Sequence, residues 1–416
     1  MTFCGLDFGT SNSSVGIFKD SNIDMVTFDE GKKLLRSAIF LDDDEKEIIL
    51  GRQAIARYME GGEGRLMTSI KSVLGSSLMD EKTRIFNEMK PFSDILGYFI
   101  RHLKHRAESF AGYEIDSVVL GRPVRFHDTD DRIDAQAEQT LKDIAIKEGF
   151  KHIEFQYEPV AAALAYEKIS TKEEIALVVD IGGGTSDFTI INIVPNNTGA
   201  STRILSTSGV HIGGTDFDRL LNYHNVMPYF GLHSTVNAVN GTAINVSNIY
   251  YNDVCTWHKI NSLYSKQTVA DIKSTFAFSN DKKLVSRFIS LVEKQEGHRL
   301  LQDVESAKIE LSSSEHMLLD LDFIEDNFKV DLTKDSFEQL ISKDLNTIKE
   351  YLQSLVNDAQ LKMNDINVVF FTGGSSQIHK IRQDVMSLFP QAKMVEGDSF
   401  GSVGFGLTLD AARKFS

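Results

Sequence analysis

Two short segments of nearly the same pattern narrow the folds open to this chain. Gly5-Leu6-Asp7-Phe8-Gly9-Thr10-Ser11-Asn12-Ser13 opens the sequence, and Val179-Asp180-Ile181-Gly182-Gly183-Gly184-Thr185-Ser186-Asp187 follows about 170 residues later. In each, an apolar strand ends in a carboxylate, a Gly/Thr/Ser turn follows, and a second strand starts, Ser14 to Phe18 and Phe188 to Val194. Glycine lets the backbone approach an anion unobstructed, and successive N–H groups in a tight turn form an anion-binding nest. The repeat therefore reads as two related halves that present phosphate-binding hairpins to one nucleotide. One Gly-rich turn alone is ordinary hairpin chemistry. Here each turn has an Asp at the same offset, and further glycine pairs follow at Gly213-Gly214-Thr215-Asp216 and Thr372-Gly373-Gly374-Ser375-Ser376.

Strand-like runs alternate with helical ones, the mark of an α/β protein. Ala137, Leu141, Ile144 and Ala145 predict a helix over Gln136 to Lys147 that packs by one face and stops at Gly149. A strand Ile153 to Tyr157 then runs into Glu158-Pro159, with an alanine-rich helix Val160 to Glu167 after it. Ile175 to Val179 and Val368 to Thr372 read as buried strands that deliver Asp180 and Gly373-Gly374 at their carboxyl ends, where open α/β sheets bind ligands. The acidic run Leu41 to Ile48 is expected to be a solvated turn. His211, His224, His233, His258 and His298 show no ligand spacing and are read as surface or satisfied core residues.

A net charge of −15 disfavours nucleic acid as the main partner, because phosphate binding needs a basic face. Cys4 and Cys255 make no disulfide framework and no metal-ligand spacing, so a reducing cytoplasm is the expected home. No apolar run is long enough to span a bilayer, and no leader pattern follows Met1, so neither a membrane partner nor a signal peptide is expected.

Together these motifs resemble the nucleotide-binding domain of the 70-kDa heat-shock (DnaK-like) chaperones. The resemblance extends to Ser69-Ile70-Lys71-Ser72, Glu158-Pro159-Val160-Ala161-Ala162-Ala163-Leu164-Ala165-Tyr166, Ile212-Gly213-Gly214-Thr215-Asp216-Phe217-Asp218 and Glu305-Ser306-Ala307-Lys308-Ile309-Glu310-Leu311-Ser312-Ser313. Gly121-Arg122-Pro123, Phe155-Gln156-Tyr157-Glu158-Pro159 and Gly397-Asp398-Ser399-Phe400-Gly401-Ser402-Val403 look most like the bacterial YegD-type orphan chaperone-like proteins. The resemblance implies the actin-like ATPase fold, with two ribonuclease-H-like lobes and a central nucleotide cleft. It places lobe I at 1–167, with a peripheral subdomain at about 36–105, and lobe II at 168–401, with a peripheral subdomain at about 212–320. A C-terminal helix is expected over 402–416. The chain ends at Ser416, about where the family's nucleotide-binding domain ends, so no peptide-binding domain is expected.

By the same resemblance, Asp7 and Asp180 hold Mg2+ through its waters, and Asp187 is a further carboxylate near the metal and any K+. Gly9, Thr10, Ser11, Asn12, Gly182, Gly183, Gly184, Thr185, Gly213, Gly214, Gly373, Gly374 and Ser375 are expected around the nucleotide. Lys71 reaches the γ-phosphate and attacking water, while Glu158 orders the metal's waters. Glu305, Lys308 and Ser312, spaced i, i+3, i+7, form a polar helical face opposite the core stripe Leu301, Val304, Ala307 and Leu311, and match the family's ribose and adenine contact. The family sandwiches adenine between two arginines, whose matching positions here are Ile309 and Gln377. Weaker ATP and ADP binding follows.

The leading expectation is a slow ATPase whose cleft closure acts as a nucleotide switch for a protein partner or client, served by a co-chaperone or exchange factor. The alternatives are a nucleotide-binding pseudoenzyme, an actin-like filament former and a metabolite kinase.

Overall fold

Phe3–Phe8 and Asn12–Lys19, buried along almost their whole length, make an antiparallel hairpin in which Asp7 lies opposite Ser14. A computed structural model of the chain describes residues 2–416 except 20–21, 29–30, 77–78, 80, 127–129, 168–169, 196–201, 238–242 and 396–401. The motif at Gly397 to Gly401 lies outside the described residues.

The chain forms two compact units. One comprises Met1–His211, Lys349–Gln377 and Val385–Ser416, and the other Ile212–Ile348 with Ile378–Asp384.

The first unit contains two sheets of the same topology. In one, the order is His152–Tyr157, Ser117–Arg122, Phe3–Phe8, Asn12–Lys19, Asn22–Met25. Its first three strands run parallel, and the last two turn back antiparallel. In the other, Lys393–Val395, Val368–Thr372 and Glu174–Ile181 run parallel, followed by Ser186–Ile193 and Arg203–Val210 in antiparallel order. The hairpin repeat is thus a repeat of whole sheets. Asp7 and Asp180 occupy equivalent places, each near the carboxyl end of the central strand.

Helices Phe92–Ala111 and Asp131–Lys147 bury Phe99, Ile100, Leu103, Ala137 and Leu141 against the first sheet. The second of these starts five residues before the expected Gln136, because Asp130 caps it by accepting from the Arg132 and Ile133 N–H groups at 2.9 and 3.4 Å. The C-terminal helix Ser402–Phe415 packs on both the first sheet and helix Glu158–Glu167. Glycine permits this closeness: a Cβ on Gly406 would lie 1.8 Å from the Ala161 carbonyl oxygen, and one on Gly5 would lie 2.2 Å from the Thr408 nitrogen.

Part of the acidic run differs from the solvated turn expected for it. Residues 43–46 do form an exposed turn, but Asp42 is fully buried and accepts from Arg57 Nε at 2.6 Å. The guanidinium and the Asp44 and Glu45 N–H groups satisfy the carboxylate there.

The second unit is mainly helical, with the hairpin His316–Asp320/Lys329–Thr333. Tyr251, Phe276 and Phe288 form an aromatic core, with Tyr251 and Phe288 centroids 4.6 Å apart. His298 is a satisfied core residue: its Nε2 lies 3.2 Å from the Trp257 carbonyl, and burial pushes its pKa down to about 4. Both cysteines are buried and free. Among the described residues no helix is long and apolar enough to cross a membrane.

Candidate functional site

The two glycine turns approach one another within the first unit. A Cβ on Gly183 would lie 2.6 Å from Ser11 Oγ, so the two hairpin tips nearly touch. Each turn is held from behind. Ser37 donates its hydroxyl to the Gly9 carbonyl at 2.7 Å and its N–H to the Ser11 carbonyl at 2.9 Å. In the second turn the Gly182 N–H donates to the Thr185 carbonyl at 2.9 Å, and Ser375 Oγ donates to the Gly182 carbonyl at 3.0 Å. That last bond brings the glycine pair Gly373-Gly374 to the same place. Gly373 has a φ of +77°, and a Cβ there would meet the Ile181 carbonyl oxygen at 2.3 Å and Asp180 Oδ1 at 2.5 Å. Thr10, Gly184, Thr185 and Gly374 are exposed, while Gly9, Ser11, Asn12, Gly182 and Gly183 are half-buried.

Below the turns lie four charged side chains. Lys71 Nζ donates to Glu158 Oε1 at 2.6 Å, and both side chains are largely enclosed. Lys71 belongs to a short 3-10 turn, Ile70–Val73, preceded by Ser69 in the left-handed region at φ 54°. Its geometry is fixed by Ser72, whose N–H and hydroxyl both donate to the Ser69 carbonyl, at 3.0 and 2.7 Å. Glu158 starts the helix Glu158–Glu167 and packs beside Gly121.

The carboxyls nearby are electrostatically crowded. Burial pushes Asp7 well above the ordinary carboxylate range, to about 8, with Glu158 and Asp180 adding repulsion and Lys71 opposing it. Burial likewise pushes Asp180 up to about 7, helped by Asp187 and Glu158 and opposed by a Thr372 hydrogen bond and Lys71. Asp187 is exposed and accepts from Thr185 Oγ1 at 3.1 Å.

Such a cluster favours a cation, which would stabilise the charged forms that burial and, secondarily, repulsion disfavour in both aspartates. Among the described residues no three His, Cys, Asp or Glu side chains converge to ligate a metal directly. The buried carboxyls of Asp7 and Asp180 are hard oxygen donors of the kind that suit a small, hard cation keeping much of its hydration shell.

In the second unit, Gly213 caps helix Gly214–Leu221, with its N–H bonded to Asp216 Oδ2 at 3.0 Å. Lys308 Nζ donates to the Gly214 carbonyl at 3.2 Å and to Asp218 at 2.9 Å. The expected core stripe of helix Gly297–Leu311 is buried, but Lys308 is buried with it. Its long side chain reaches across to the carboxylate and carbonyl of the neighbouring helix, an anchor that helical spacing alone does not disclose. Glu305 and Ser312 are half-buried, and Ser312 Oγ donates to the Lys308 carbonyl at 3.2 Å. Ile309 is 62% exposed, and Gln377 is exposed on the first unit.

Sequence reasoning did not single out Ser37, Thr372 or Asp218 individually. Thr372 and Asp218 belong to quoted motifs, whereas Ser37 has no local signal, since its partners come from a different hairpin.

A family model described as Hsp70 protein matches residues 3–244 and 289–412. The chaperone protein DnaK of Thermosipho melanesiensis is 26% identical over 416 residues, covering 98% of this chain and 58% of that protein. The chaperone protein DnaK of Thermosipho africanus is similar to the same degree, 26% identical with 98% and 58% covered. The chain thus spans somewhat over half the length of these curated relatives.

Proposed function

Since the chain belongs to the Hsp70 family, whose fold is the actin-like ATPase fold, we propose that it is a chaperone-like protein that binds ATP with Mg2+ and hydrolyses it slowly. One observation carries this reading: the Lys71–Glu158 pair lies with two crowded carboxyls beneath two facing glycine turns. Backbone N–H groups at Gly9, Thr10, Ser11, Asn12 and Gly182 to Thr185, with Gly373, Gly374 and Ser375, hold the phosphates. Asp7 and Asp180 would hold Mg2+ through its waters, and Asp187 would be a further carboxylate near the metal and any K+. Bound Mg2+ supplies charge neutralisation for the triphosphate. Lys71 orients the γ-phosphate and the attacking water, and Glu158 fixes Lys71 and orders nearby water, so that rate comes from positioning and electrostatics. Gly213, Gly214, Glu305, Lys308 and Ser312 serve the nucleoside. The nucleotide state is read by a protein partner or client, with a co-chaperone or exchange factor setting the pace.

A second reading is a nucleotide-binding pseudoenzyme. It is favoured by Ile309 and Gln377, neither of which offers a guanidinium to an adenine face. Losing two such stacks costs about 1–4 kcal/mol of affinity. Calorimetric titration with Mg·ATP and Mg·ADP tests the binding step shared by both readings. Saturable binding that Asp180→Ala weakens supports them, and the absence of binding at millimolar nucleotide contradicts them.

A further inference from the structure

Arg122 ends the strand Ser117–Arg122 and lies opposite Tyr157 in the parallel pair with His152–Tyr157. Its guanidinium carbon is 5.2 Å from the Tyr157 ring centroid and 5.2 Å from that of Phe126. Nη2 donates to Asp134 Oδ2 at 2.8 Å, Nη1 donates to Glu138, and Nε donates to the Pro123 carbonyl at 3.0 Å. Asp134 and Glu138 share one face of helix Asp131–Lys147, four residues apart. The residue is only 8% exposed. Two carboxylates, the Pro123 and Val124 carbonyls and two rings together determine the orientation of this one planar group, which a lysine cannot reproduce.

Both backbone neighbours of this clamp lead to the same catalytic candidate. Tyr157 directly precedes Glu158, and a Cβ on Gly121 would lie 3.2 Å from Glu158 Cγ. We propose that Arg122 is a positioning residue for Glu158: it ties the Tyr157 ring and the Gly121 backbone to helix Asp131–Lys147, and so sets the carboxylate that holds Lys71. The structural part of this inference stands on the geometry, and its kinetic consequence rests on the ATPase reading above. Displacing a catalytic group by about 1 Å can cost about 100-fold in rate.

The test compares the full chain with Arg122→Gln, Arg122→Lys and Tyr157→Ala, using two measurements. The first is single-turnover cleavage of bound ATP beside nucleotide affinity. The expected result for Arg122→Gln is cleavage about 10- to 100-fold slower with affinity within about threefold of wild type, and Arg122→Lys falls between them. The second is nucleotide-free: acetylation of Lys71 and Lys308 by acetic anhydride, followed by mass spectrometry. Arg122→Gln should expose Lys71 to several-fold faster acetylation while Lys308 keeps its wild-type rate. If Arg122→Gln does not fold, Tyr157→Ala keeps the guanidinium and its carboxylates and should shift Lys71 the same way. Unchanged Lys71 acetylation in a folded variant overturns the inference, as does a parallel rise at Lys308, which would mean general loosening. Should the wild type cleave no ATP, the ATPase reading fails alone, and the acetylation result still decides the role of Arg122.

Discussion

Lys71 Nζ lies 2.6 Å from Glu158 Oε1 although 87 residues separate them in sequence. The pair joins a short turn of one region to the first residue of a helix in another. It neutralises one carboxylate of a group that also contains Asp7 and Asp180, whose charged forms are disfavoured by burial and by the neighbouring carboxylates. An unfavourable ground state of this kind is common where binding, rather than stability, shapes the residues.

Asp180→Asn should therefore stabilise the nucleotide-free protein while weakening Mg2+-dependent nucleotide binding. The folded-state pKa of about 7 lies above the ordinary aspartate value of 3.8, so folding binds extra protons between those values and the penalty of the charged form grows as pH rises through that window. The variant is expected to melt about 2–4 °C or more above wild type near pH 8, with the gap closing towards about pH 4. Scanning fluorimetry with and without Mg2+ checks this. A variant that melts below wild type at every pH contradicts it.

Gly373→Ala should cost about 2–4 kcal/mol, because the left-handed φ and the 2.3 Å approach to the Ile181 carbonyl leave no space for a Cβ. Gly183→Ala meets only the movable Ser11 hydroxyl, at 2.6 Å, and should cost well under half as much. Urea unfolding of the two variants separates a turn that is sterically required from one kept open for a ligand.

His298 makes a separate, acid-side prediction. Its folded pKa of about 4 lies below the ordinary histidine value of 6.5, so the unfolded chain binds the proton more tightly. Stability is full above about pH 6.5 and declines as pH falls towards 4, by roughly 2–3 kcal/mol over the window. His298→Gln, which cannot charge, should show a flatter profile between about pH 7 and pH 4.5 in urea unfolding. An equal slope in both proteins would place the acid sensitivity elsewhere.

Ile309→Arg should tighten nucleotide binding. The side chain is 62% exposed, so the exchange disturbs little packing. A guanidinium over an aromatic face adds about 0.5–2 kcal/mol, or roughly 2- to 30-fold in affinity. Calorimetry with ATP against tripolyphosphate isolates the base contribution: only the ATP affinity should rise.

Sequence legibility followed the range of the interactions. The hairpins around Asp7 and Asp180 were readable because their determinants, a strand-end carboxylate and glycines, are local. The equivalence of the two whole sheets followed from that repeat. The burial of Asp42, in an acidic run, and of Lys308, on a polar helical face, is not legible locally, since each is satisfied by a partner from another segment, Arg57 and Asp218. The clamp at Arg122 combines residues 122, 126, 134, 138 and 157, and only the i, i+4 pair Asp134/Glu138 had any visible periodicity. Ser37 had none.

Single-turnover hydrolysis of radiolabelled ATP, with Mg2+ and K+, in wild type, Lys71→Ala and Asp180→Ala decides whether these residues cleave ATP. Wild type should convert bound ATP to ADP slowly, and both variants should lose conversion, with Lys71→Ala still binding nucleotide. Conversion that survives Lys71→Ala unchanged, or a wild type that binds ATP and never cleaves it, would contradict the account.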